Sequence, residues 1–131
     1  MTGLDTNILV RFFAKDDPIQ TPKARAVFSS LTIAEPGWVG VATILELVWV
    51  MTSSIGVGRD TVARILAELL TRETIVVERA ETIEKALLRY RRGRADFADC
   101  LIAASARSAG CTRTVTFDRV AARDAGMELV G

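Results

Sequence analysis

The 131-residue sequence contains no histidine. Imidazole acid–base catalysis and imidazole metal ligation are therefore both excluded. There are two cysteines, Cys100 and Cys111, and no Cys-x-x-Cys pair. A disulfide-built secreted domain looks different. Both thiols have small or apolar neighbours and are expected to be reduced and packed. Lysine is confined to Lys15, Lys23 and Lys85, and the net charge is only +1. No global pull toward nucleic acid or anionic membrane follows from that balance. No apolar run reaches the ~18 residues of a membrane span, and no charged-then-apolar leader opens the chain. A cytoplasmic protein without a membrane partner is the expectation.

Half of the residues are hydrophobic, enough for one sizeable core, and the length fits a single domain over residues 1–131. A short apolar strand, Met1–Leu4, stops at Asp5, and Ile8, Leu9, Phe12 and Phe13 then recur at helical spacing. A second helix is expected to start at Thr21 as cap with Pro22 in its first position. Trp38-Val39 reads as a strand. Ile44–Met51 reads as a helix with Leu45, Val48 and Trp49 on one face, followed by a turn over Ser53–Gly58. Arg59–Leu70 is an amphipathic helix, and Thr74–Val77 a β-branched strand. Helices over Glu81–Arg92 and from Asp96 through Leu101, Ile102 and Ala106 to Gly110 follow. Thr114–Phe117 and Met127–Val130 read as the last strands, with a short helix, Val120–Asp124, between them. The alternation predicts an α/β fold: a mostly parallel central sheet of about five strands with helices on both faces. Functional groups in such a fold lie at the carboxyl ends of the strands.

Acids recur at those junctions. Asp5 follows the first strand, and as a helix N-cap it has an equally good structural role. Glu46 lies inside the apolar run Ile44–Val48, where a carboxylate is costly unless paired. Thr43 and Glu46 also have the spacing of a capping box. Asp96 and Asp99 share a helix face one turn apart, where like charges repel; the helix start favours both, Asp96 as cap. Asp118 closes the strand at Thr116-Phe117, where a turn or cap residue is also at home. Together the acids are expected to gather at one end of one sheet around Asp5, and such a cluster is not stable fully ionised without a cation. Oxygen donors without histidine suit Mg²⁺ or Mn²⁺ rather than zinc. Arg89, Arg91, Arg92 and Arg94 precede Asp96. They fit a helix C-terminus and equally the phosphates flanking a scissile bond.

The order and spacing of Leu4-Asp5-Thr6-Asn7, Glu46 in Ile44-Leu45-Glu46-Leu47, Asp96-Phe97-Ala98-Asp99-Cys100-Leu101-Ile102-Ala103-Ala104 and Thr116-Phe117-Asp118 resemble a PIN-domain ribonuclease, specifically a VapC-type toxin of a bacterial toxin–antitoxin pair. The resemblance covers nearly the whole chain. It implies that Asp5, Glu46, Asp99 and Asp118 bind one or two Mg²⁺ ions, that Asp96 matches a less uniform acid, and that Thr6 and Thr116, with Asn7 beside them, line the site. It also implies endonucleolytic cleavage of RNA by metal-activated water, a homodimer, and inhibition by a VapB-like antitoxin. The chain departs from the pattern at Gly40-Val41, where serines often precede the Glu-bearing helix.

Three other readings compete. A receiver domain needs a lysine near its last strands, and none lies beyond Lys85. A haloacid-dehalogenase-like phosphatase uses Asp-x-Asp after its first strand, and here the third position is Asn7. A non-catalytic interaction module follows if the acids serve only as caps.

Overall fold

Every strand in the protein is short, and each except the last leads into a helix within a few residues. A computed structural model describes all residues, Met1–Gly131. They form two compact units, Met1–Glu78 and Arg79–Gly131.

In the first unit, β1 (Thr2–Gly3), β2 (Gly37–Val39) and β3 (Ile75–Val77) pair in parallel in the order β1-β2-β3. Burial alternates along β2 and β3, as the two-residue side-chain period requires. Val39, Ile75 and Val77 enter the core, while Trp38 and Val76 stay partly exposed. α1 (Thr6–Ala14) ends at Lys15, whose left-handed φ of 57° closes the helix before Pro18. α2 (Gln20–Ser30) begins earlier than the Thr21 cap predicted. The Asp17 carboxylate accepts from the backbone N–H groups of Ile19 and Gln20 at 2.9 and 2.7 Å, satisfying the first free donors. Thr21 is instead buried, and its hydroxyl donates to the Arg11 carbonyl.

α3 (Val41–Trp49) turns a different face inward from the one predicted. Ile44, Leu47, Val48 and Met51 are buried, Leu45 is half-buried and Trp49 is 63% exposed. The predicted turn after it is a π-helical segment, Val50–Ile55. There the Thr52 hydroxyl donates to the Val48 carbonyl at 2.8 Å, a competition that loosens regular α-helical bonding. α4 (Arg59–Thr71) buries Val62, Ile65, Leu66 and Leu69 as its periodicity predicts.

The second unit contains α5 (Ala80–Arg92), α6 (Phe97–Ser108), β4 (Val115–Thr116), α7 (Arg119–Asp124) and β5 (Glu128–Leu129). β4 and β5 pair in parallel as a separate two-stranded sheet. The five expected strands are thus present and parallel, divided between two sheets. Ile83, Ala86, Leu87 and Tyr90 of α5 are buried, as are Phe97, Cys100 and Leu101 of α6; the Tyr90 and Phe97 rings meet edge to face. Ile102 of the same helix is 53% exposed. Neither cysteine is in a disulfide, but only Cys100 is packed; Cys111 is exposed, in the loop after α6. No helix is long and apolar enough to cross a membrane.

Candidate functional site

Three of the five singled-out acids are helix caps. Asp5 holds extended geometry between β1 and α1, and its Oδ1 accepts from the Thr6 amide at 2.7 Å. Asp96 caps α6, its Oδ1 accepting from the Asp99 amide at 2.8 Å. Asp118 caps α7, its Oδ1 accepting from the Ala121 amide at 2.9 Å. Each cap uses one carboxylate oxygen at a helix end that favours negative charge.

Glu46 and Asp99 are not caps. The Thr43–Glu46 capping box does not form. α3 starts at Val41 behind Gly40, and the Val41 amide donates to Glu78 Oε1 at 2.8 Å, so a carboxylate from the end of β3 does the work assigned to that box. Glu46 is exposed rather than buried in the apolar run around it. Its Oε1 accepts from the hydroxyl of Thr6, which is buried. The first unit therefore presents Asp5, Thr6 and Glu46 as a connected set. Asn7 lies beside them, exposed at the start of α1.

In the second unit Asp99 is half-buried in the first turn of α6. Its carboxyl is pushed above the usual carboxylate range, first by lost hydration and then by the charges of Asp96 and Asp118. The second of these causes is the repulsion of like charges held close together. Thr116 supports the arrangement from below: its Oγ1 accepts from the Asp118 amide at 3.0 Å and fixes the corner between β4 and α7. The expectation of one cluster at one end of one sheet is corrected in this respect. Asp5 and Glu46 belong to the unit with the three-stranded sheet, and Asp96, Asp99 and Asp118 to the unit with the two-stranded one; Asp96 and Asp99 follow helix α5 rather than a strand. No three acid or thiol side chains of the protein form a group placed to hold a metal ion.

Arg89, Arg91 and Arg92 occupy the last turn of α5, where cations complement the helix dipole. Arg94 follows Gly93, and its amide donates to Asp124 Oδ2 at 2.9 Å. Sequence reasoning passed over Lys85, Arg107 and Arg123, which with Arg89 and Arg92 border a cavity of about 440 Å³ in the second unit. The legible signal was Lys85, Arg89 and Arg92 at helical spacing on one stripe of α5. A cavity of about 530 Å³ in the first unit, lined by Phe12, Phe28, Arg64, Glu68 and Arg72 among others, touches neither Asp5 nor Glu46.

The family model described as PIN domain matches residues 4–126. No curated protein matches the chain.

Proposed function

The chain belongs to the PIN-domain family of nuclease-type domains, and on that premise we propose that it is a Mg²⁺-dependent endoribonuclease, the toxin of a toxin–antitoxin pair acting in the cytoplasm. The observation that carries the reading is Asp99. Its ionised carboxyl is disfavoured first by lost hydration and then by Asp96 and Asp118, at a helix start where one cap already satisfies the local amide. A helix end has no need of the further acid; a cation has.

The donor set fits such an ion. It is made of carboxylate oxygens, with no histidine in the chain, which suits Mg²⁺ with Mn²⁺ as substitute. Asp5, Glu46, Asp99 and Asp118 would hold it, with Asp96 as a further acid. When bound, the ion supplies an activated water and neutralises charge developing on the scissile phosphate. The chain's own residues do the positioning. Asp96 pins the first turn of α6 and so fixes Asp99. Thr6 orients Glu46 through its hydroxyl, and Thr116 holds the Asp118 corner. Arg89, Arg91 and Arg92 in the last turn of α5, and Arg94 just past it, would meet RNA phosphates of the bound strand.

The same reading extends to partners. Trp49, 63% exposed on α3, is an aromatic anchor of the kind protein interfaces favour, and we assign it to a homodimer surface. The uncompensated charge of the acids suits a VapB-like antitoxin that inserts a basic side chain among them. Cleavage of RNA by metal-free protein tests the function directly: activity appears on adding Mg²⁺ or Mn²⁺, and undiminished cleavage in excess EDTA overturns the reading.

One observation favours a non-catalytic module instead. Asp5, Asp96 and Asp118 all make genuine capping bonds. A module of that kind binds no Mn²⁺ in calorimetric titration, whereas the nuclease binds it in a manner abolished by removing Asp99.

A further inference from the structure

The second unit holds a cavity of about 440 Å³ between α5, α6 and α7. Lys85, Arg89 and Arg92 reach it from α5, Arg107 from α6 and Arg123 from α7; the one acid at its edge is Asp124. Asp124 is already committed. It accepts from Arg123 Nε and Nη2 at 3.0 and 3.2 Å and from the Arg94 amide at 2.9 Å. It also lies against Gly93, where an added Cβ would come within 2.8 Å of the Asp124 Cβ. Lys85 faces Glu81 at 3.6 Å in an exposed pair, of a kind worth little. Arg89, Arg92 and Arg107 have no carboxylate partner. Arg89 is seated rather than free: Gly126, at φ +80°, leaves room for a guanidinium whose Cζ an added Cβ would meet at 3.0 Å.

Cations gathered around a committed acid repel one another unless an anion joins them. Guanidinium forks match phosphate oxygens bidentately. α6 links this cavity to Asp96 and Asp99 of the same unit. Asp99 lies in its first turn, while Cys100, Ala103, Ala104 and Arg107 form the cavity wall. The eight positions from Asp99 to Arg107 span about 12 Å along the helix axis. The two alanines add little side-chain bulk to that path.

We propose that this basic cavity is an RNA-backbone subsite, holding phosphodiesters of the substrate strand beyond the nucleotide being cut and setting the register in which the strand crosses the acids. The inference rests on the nuclease reading and extends it to residues outside the acid set.

The test is binding of a labelled, unstructured RNA oligonucleotide in EDTA across a salt series, with thermal melting to confirm folding. The Lys85→Gln/Arg107→Gln double variant is compared with the parent and with a charge-matched control, Lys23→Gln/Arg25→Gln. Removing two phosphate contacts lowers the slope of log affinity against log salt by about 1.4, at roughly 0.7 per single-strand phosphate. The expected result is that loss, with affinity at low salt reduced about tenfold or more, in the cavity variant only. Equal losses in both doubles, or none in either, overturn the proposal. Inorganic triphosphate is titrated in parallel. If the cavity variant loses triphosphate binding while RNA binding is unchanged, the site is for a small anion and the RNA assignment is wrong. Cleavage by the parent in Mg²⁺ separates the two claims. Cavity-dependent RNA binding without cleavage sinks the nuclease and leaves the subsite, and cleavage with an unaffected double variant does the reverse.

Discussion

Asp5, Asp96 and Asp118 each close a helix start with one carboxylate oxygen, and the proposed metal site asks a second role of the same carboxylates. An asparagine retains the first role, because it caps about as well as aspartate. The capping role was legible at all three positions, since it depends only on neighbours in sequence. The link between Thr6 and Glu46 was not, because the partners are 40 residues apart and nothing local marks them. Glu46→Gln keeps an oxygen that accepts from Thr6 and removes the charge. RNA cleavage by that variant is expected to fall by orders of magnitude, with its melting temperature close to the parent's. A large loss of stability would make Glu46 a structural residue instead.

The elements were mostly found where periodicity placed them, and the misreadings have physical causes. α2 was given the wrong cap because Asp17, three residues ahead of Gln20, reaches forward to two amides, and a threonine beside a proline gives no sign of that. Those amides hold the Asp17 carboxyl below the usual carboxylate range. A depressed folded value means the contribution is present above the ordinary carboxylate pKa and is lost as pH falls through the lowered one. Asp17→Ala is therefore expected to melt lower than the parent at neutral pH, with the gap closing under acid; a gap independent of pH contradicts the cap. α3 was turned the wrong way because Leu45 and Trp49 are as apolar as the residues that displaced them from the core. The exposed Trp49 carries the dimer prediction. Sedimentation of the parent should show a dimer at micromolar concentration, and Trp49→Glu should shift it to monomer. A parent that stays monomeric removes the assignment.

At the scale of the whole molecule, the alternation of strands and helices announced a parallel α/β fold, and the strands of each sheet are parallel. The sequence did not reveal that they pair as three and two. β1, β4 and β5 are two residues long, too short for a side-chain period to show which neighbours they choose. The division of the acids between two units was hidden for the same reason. Their chemistry was still readable, because the crowding of Asp99 by Asp96 follows from their spacing on one helix.

Asp99 is where the central claim is most exposed. Its raised carboxyl means that the folded, metal-free protein binds a proton there more readily than the unfolded chain, so this residue's contribution weakens as pH rises through the carboxylate range. Asp99→Asn removes that repulsion. The decisive measurement is paired on this variant: thermal melting in EDTA and single-turnover RNA cleavage in Mg²⁺, with Asp96→Asn alongside. The account predicts a metal-free melting temperature at neutral pH equal to or above the parent's and a loss of cleavage by orders of magnitude, with a smaller loss for Asp96→Asn. An Asp99→Asn protein that cleaves RNA at the parental rate would contradict it.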